Sequence, residues 1–282
     1  MVDMSRFRGR IPPSLPDMLR SHASLLLLLT VTVTACARTP VVEGPSAQPR
    51  AAAAPQSVRG LVERMKADHA GRWYSTLSFR QSNVAYSSAG ETRSSWFERQ
   101  SVPRRLRIDF ITPDADGSGI LFRNDSAYTF QRNVLTQRVS QLHPLLLLSA
   151  DLYALPVDTT VSALAKLGID TTRLRRDSWT DRPVWVVGAG SGDSTSTQFW
   201  VDAERWVLLR FVNNQKAGTR TVRTDHHFSY QTVDSLLVPK EIVFLRNGAA
   251  YWRETYTDVK VNPPLSDSIF LPGSWQVYVP AP

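Results

Sequence analysis

Few residues in this chain have the types and spacing that chemistry needs. Its one cysteine, Cys36, closes the run Val33-Thr34-Ala35-Cys36. A lone thiol excludes an intrachain disulfide framework and a zinc site built on several thiolates, which leaves it as a single nucleophile or attachment point. The histidine cluster is Asp225-His226-His227. On a strand, alternate side chains point to opposite faces, so Asp225 and His227 share a side that His226 does not, and three ligands cannot converge. No metal site is expected. Gly188-Ala189-Gly190-Ser191-Gly192-Asp193 begins like a dinucleotide fingerprint, yet lacks the third glycine and the following helix, and reads as a hairpin loop. Asp114 and Asp116, followed by glycines, read as a turn rather than a calcium loop. No Gly-x-Ser-x-Gly elbow, phosphate-binding loop or His-Glu-x-x-His motif occurs. No catalytic residue and no cofactor is therefore assigned.

The strongest local signal surrounds Cys36. Arg20 and His22 precede an apolar stretch from about Ala23 to Ala35, the length of a secretory core and short for a helix crossing ~30 Å of hydrocarbon. The segment resembles a bacterial lipobox, in which small residues admit the signal peptidase and the next residue is the diacylated cysteine. Residues 1–35 then form a signal peptide, starting from Met1 or Met18. The alternative is an uncleaved anchor helix with an incidental thiol. Residues 36–56 (CARTPVVEGPSAQPRAAAAPQ) have no hydrophobic periodicity and read as a flexible Pro/Ala-rich tether.

The remaining residues, 57–282, must supply the folded unit. The chain as a whole is 42% hydrophobic and 21% charged, which excludes wholesale disorder. Net charge is +8, two units of it within the first 35 residues, and the rest is scattered, so it marks no nucleic-acid partner. Arg104, Arg105 and Arg107 form one small basic group. Arg105 and Arg107 would share an outer strand face, solvated or in contact with a headgroup or partner.

Val58, Leu61, Val62 and Met65 recur at helical spacing and predict an opening helix over 57–70. The period then becomes two: Trp73, Leu77 and Phe79; Leu106, Ile108 and Phe110; Tyr128 and Phe130. Leu145–Leu148, Leu152, Tyr153 and Leu155, then Val161, Leu164 and Leu167, predict two short helices joined at Pro156. Strands resume at 184–189, 197–202, 206–213, 219–233, 236–247 and 249–262, with Asn247-Gly248 as the clearest hairpin turn. Eleven to twelve strands, three helices and no βαβ alternation give a mainly antiparallel β class. Eight tryptophans at alternating positions belong to core and rim.

The order of elements, with Pro103–Asp109, Asn124–Phe130 (NDSAYTF), Phe199-Trp200-Val201-Asp202 and Tyr256–Asn262 followed by Leu265, Ser266 and Phe270, resembles the LolA/LolB-like outer-membrane lipoprotein-sorting family over about residues 57–273. The resemblance implies an incomplete, half-open β-barrel covered by a helical lid, with an apolar cavity for acyl chains. It implies acylated lipoprotein or lipid cargo and a periplasmic protein held to a membrane, more readily the outer one, through Cys36. Alternation assigns Leu77, Phe79, Leu106, Ile108, Phe110, Phe122, Phe130, Ile242 and Phe244 to the cavity, and Leu145, Leu148, Leu152 and Leu155 to the lid. An ordinary sandwich core is the alternative for those residues. For the whole protein the alternatives are a membrane-protein-binding regulator of RseB/MucB type and a periplasmic hydrolase.

Overall fold

A computed structural model describes residues 53–111, 117–217 and 220–277. The acylation candidate Cys36, the signal segment, most of the tether, and Asp114 and Asp116 lie outside the described residues.

Helix α1 spans Val58–Asp68. Its start is fixed by Ser57, whose hydroxyl accepts the Gly60 N–H at 3.1 Å, and its buried stripe is Val58, Leu61, Val62 and Met65. Thirteen strands follow: β1 Thr76–Ser87, β2 Gly90–Ser101, β3 Arg105–Ile111, β4 Gly119–Arg123, β5 Ser126–Gln131 and β6 Val134–Ser140, then β7 Leu174–Trp179, β8 Arg182–Val187, β9 Gln198–Asp202, β10 Leu208–Ala217, β11 Arg220–Val233, β12 Leu236–Arg246 and β13 Ala249–Val261. Between β6 and β7 lie α2 (Pro144–Leu146), a π-helical turn (Leu147–Asp151), α3 (Leu152–Ala154) and α4 (Val157–Lys166). Two 3₁₀ turns, Asp267–Phe270 and Pro272–Val277, end the described chain.

All strands belong to one antiparallel sheet in the order β6-β5-β4-β3-β2-β1-β13-β12-β11-β10-β9-β8-β7. Two meanders are thus joined by pairing of the first strand with the last. Sequence expected eleven to twelve strands. The extra one is β7, an edge strand whose Arg175, Arg176 and Asp177 hide any apolar alternation. Among the described residues, five two-residue turns have positive φ at both positions: Asn124-Asp125, Arg132-Asn133, Thr180-Asp181, Asp234-Ser235 and Asn247-Gly248. Such turns match the twist of antiparallel strands and fix their register.

The sheet curls without closing, because β6 and β7 are its two edges and do not pair with each other. Its curvature follows from contacts. His143 packs edge-on against Phe122 of β4, while the Tyr153 hydroxyl donates to the Trp206 carbonyl beyond β9. Strands β4 and β9 are eight places apart, about 38 Å in a flat sheet. Ten residues of largely helical chain span far less, so the two halves must bend toward each other around the helices.

The helices fill one half of the bend. Leu147, Leu148 and Leu152 pack with the α1 stripe against Trp185, Val187, Phe199, Val201, Leu208, Phe211, Phe228 and Ile242. On the opposite face, the C-terminal 3₁₀ turns cover β3–β5, where Ile269, Phe270 and Trp275 join Leu121 and Phe130. That covering corrects the solvated reading of Arg105 and Arg107. Arg107 is 1% exposed, pairs with Asp109 at 2.9 Å and lies 4.0 Å from the Trp275 ring centre, and Arg105 binds Asp267.

Candidate functional site

Strand register decides which side chains share the helix-covered face. The pairs Phe122↔Leu106, Ile120↔Ile108 and Trp96↔Phe110 carry it across β4, β3 and β2. Gln100↔Leu77 and Glu98↔Phe79 pass it to β1, and Gln81↔Tyr256 and Asn83↔Glu254 to β13. Ile242↔Glu254, Phe244↔Trp252 and Phe228↔Ile242 complete it through β12 and β11.

Eight of the nine cavity positions assigned from sequence therefore lie on one face: Leu77, Phe79, Leu106, Ile108, Phe110, Phe122, Ile242 and Phe244. Phe130 does not. It pairs with Gly119 and stacks on Trp275 at 4.2 Å, on the far side of the sheet. The inward residues of β5 are Ala127 and Thr129. Both sides of that strand are buried, so an aromatic run could not reveal which one faces inward. The lid positions Leu148, Leu152 and Leu155 are buried in the helix-side core, with Leu145 packed at its margin.

Several polar contacts fasten the lid. The Lys66 ammonium donates to the carbonyls of Tyr153 at 2.9 Å and Leu155 at 2.6 Å, where a helical run ends. The buried Asp151 carboxylate accepts the Arg104 backbone N–H at 2.9 Å, which ties the π-helical turn to the loop between β2 and β3. Burial pushes the Asp151 carboxyl up to about 7 against that hydrogen bond.

The inward face is not wholly apolar. Glu98 is 4% exposed, and its carboxyl is held well above the usual range by burial and by Glu254. Glu254 is half-buried and accepts from the Trp252 indole N–H at 3.0 Å; burial raises its carboxyl to about 7. His226 lies between Phe211 and Phe244, and burial lowers its imidazole to about 4, so it is neutral at pH 7. Sequence reasoning passed over Trp96, Glu98 and Gln100, and likewise Trp252, Glu254 and Tyr256. Each trio alternates at period two, and a glutamate in the middle disguised both as ordinary surface.

No group of three His, Cys, Asp or Glu that could hold a metal occurs among the described residues. Asp225 and His227 pair at 3.1 Å on the outer face, away from His226. What the arrangement offers is a curved, mainly apolar surface under a fastened lid. The half-buried Phe110, Phe244, Trp252 and Tyr256 mark where solvent reaches it.

No family profile matches the chain, and no curated protein sequence matches it. Solved structures do. An outer membrane lipoprotein-sorting protein domain from Vibrio parahaemolyticus superposes with a TM-score of 0.56 at 10% identity, covering 78% of this chain and 98% of that one. A LolA superfamily protein from Nitrosomonas europaea gives 0.51 at 16% identity, covering 77% and 98%. A DUF1329 family protein from Desulfovibrio piger gives 0.56 at 13% identity, covering 78% and 98%. The unclosed antiparallel sheet wrapped around its helices is thus the LolA-like fold, and this chain has it.

Proposed function

We propose that the protein holds acyl chains of lipoproteins or lipids against its inward apolar face and carries or receives them at the bacterial outer membrane. Cys36 is its lipid anchor and residues 36–56 its tether. The observation that carries this reading is the single face shared by Leu77, Phe79, Leu106, Ile108, Phe122 and Ile242 on a sheet whose edges never meet. A sheet that cannot close must cover its apolar side with something else. The helices cover the half formed by β8–β12, and on the other half Leu77, Phe79, Leu106, Ile108 and Phe122 are 1–7% exposed without a ligand, so an acyl chain enters there by parting the side chains that cover them.

Burial of apolar surface gains about 25 cal/mol per Å², so a chain burying about 300 Å² gains roughly 8 kcal/mol before the costs of ordering it. The binding is tight yet transferable to a partner with a similar surface. Ile108→Glu puts a charge in the middle of the face. It is expected to weaken binding of a fluorescent fatty-acyl probe by at least about tenfold while far-UV circular dichroism stays unchanged. Equal binding by wild type and variant would place the ligand elsewhere and refute the reading.

A further inference from the structure

Resting on the acyl-binding reading for where the chains lie, we propose that a cleft beside the lid, walled by Arg104, Asp125 and Lys166, binds the headgroup of a zwitterionic phospholipid, one that joins a phosphate to an ammonium.

The cleft has a volume of about 300 Å³. That is the lower end of the size range for small-ligand sites, room for a headgroup rather than a whole lipid. Helix α4 supplies one wall, with Lys166 and the hydroxyls of Thr159 and Ser162. The other wall is Arg104, from the loop between β2 and β3, and Asp125, from the turn between β4 and β5. Apolar surface adjoins this polar mouth on two sides. Ala163 and Leu142 also line the cleft, and Ala163 belongs to the core beneath the lid while Leu142 packs against it. Arg104 and Asp125 lie just beyond the Arg105↔Arg123 and Leu106↔Phe122 pairs, where the inward apolar face ends. An amphiphile needs this layout, with a charged rim next to greasy walls.

The charges specify the headgroup. Arg104 and Lys166 bring two cations. Of the two acids that line the cleft, Asp158 is already paired with Arg59. Asp125 meets Arg104 only at 3.4 Å and through one oxygen; its other oxygen, Oδ1, has no partner. The Arg104 Nε is likewise unpartnered. Both side chains are half-buried, so a ligand reaches them from solvent. The Arg104 backbone N–H is held by Asp151 at 2.9 Å, which fixes the point from which its guanidinium extends. A phosphate between Arg104 and Lys166 gains charge-assisted hydrogen bonds, and an ammonium on the same ester meets Asp125. A phosphate without the ammonium faces the Asp125 carboxylate uncompensated, and an uncharged glyceride leaves both unpartnered atoms as they are.

The test is native mass spectrometry of the full chain in detergent, titrated with dioctanoyl phosphatidylethanolamine, dioctanoyl phosphatidylglycerol and dioctanoylglycerol. The ethanolamine lipid is expected to bind at least about tenfold more tightly than dioctanoylglycerol, the size of one charge-assisted hydrogen bond, with the phosphatidylglycerol between them. In Arg104→Gln/Lys166→Gln the ethanolamine lipid and dioctanoylglycerol should fall within about twofold of each other, with dioctanoylglycerol unchanged. Asp125→Asn should bring the ethanolamine lipid and the phosphatidylglycerol within about twofold. Arg104→Gln keeps the N–H that Asp151 accepts. Circular dichroism checks that the double variant folds, and Lys166→Gln alone, at an exposed position, should lose part of the preference if it does not. Inorganic phosphate should not compete with the ethanolamine lipid. Equal binding of all three lipids, a preference that survives in the variants, or competition by inorganic phosphate overturns the headgroup cleft and leaves the acyl-binding reading standing. A chain that binds none of the three overturns both.

Discussion

Glu254 and His226 share the inward face and answer pH in opposite senses. The folded state raises the Glu254 carboxyl to about 7 and the Asp151 carboxyl likewise. Each therefore keeps its proton in the folded chain after the unfolded chain has released it. Their contribution to stability is complete below about pH 4, the ordinary carboxyl range, and is lost as pH rises through 7. His226 is lowered to about 4, so the unfolded chain takes up a proton that the folded one refuses, and stability falls as pH drops from about 6.5 toward 4. Glu254→Gln is already neutral. Its unfolding free energy relative to wild type should rise between about pH 4.5 and pH 7 and level off above that, as read by urea titration at several pH values, and a constant difference would show that the carboxyl ionises freely. Gly119 makes a second residue-scale case. A Cβ there would meet the Ile108 carbonyl oxygen at 2.0 Å and the Trp275 ring at 2.8 Å. Gly119→Ala should cost about 1–3 kcal/mol through overpacking, and an unchanged urea midpoint would mean that the C-terminal turn does not press on β4. Single residues were only partly legible in the sequence. The period-two apolar positions gave the face correctly where its other side was polar, and misplaced Phe130 where both sides are buried.

At the scale of elements, two segments outside the sheet hold opposite faces of it. The lid is fastened by Lys66, Asp151 and Tyr153 as well as by its leucines. Lys66→Met removes the donor to the Tyr153 and Leu155 carbonyls and should destabilise by about 1–2 kcal/mol. Hydrogen exchange across 144–155 should speed up while that of β2 and β3 does not, whereas uniform exchange would mean that the lid and sheet open only together. The C-terminal turn is clamped by arginines from the strands beneath. Arg107 reaches the Trp275 carbonyl at 3.2 Å, and Arg123 the Phe270 carbonyl at 3.1 Å. Trp275→Ala removes the stack on Phe130 and should cost about 3–5 kcal/mol by thermal or urea unfolding; a loss below 1 kcal/mol would show that this turn is ornamental to the core. Elements with strong periodicity or turn chemistry were readable beforehand, notably α1, the two helical runs meeting at Pro156, and the hairpin at Asn247-Gly248. Strand β7 was not, because an edge strand exposed on both sides carries charges where a pattern would be, and Thr180-Asp181 is not a turn pair that composition singles out.

The whole molecule is governed by one topological fact. Two meanders meet at β1 and β13 in their centre and leave β6 and β7 as free edges, so the sheet can curl around its helices but cannot close. The fold class was visible in the order of strands, turns and helical insertion. The polar groups on its inward face were not, since only register across four strands reveals that Glu98 and Glu254 face the same way as Phe79 and Ile242. Native mass spectrometry of the full chain, expressed in bacteria, extracted with detergent and released from it in the gas phase, tests the central claim most directly. The account predicts protein ions carrying an additional non-covalent mass of one acylated molecule, lost in Ile108→Glu. A bare protein mass in wild type and variant alike, at collision energies that keep other lipid–protein complexes intact, would contradict it.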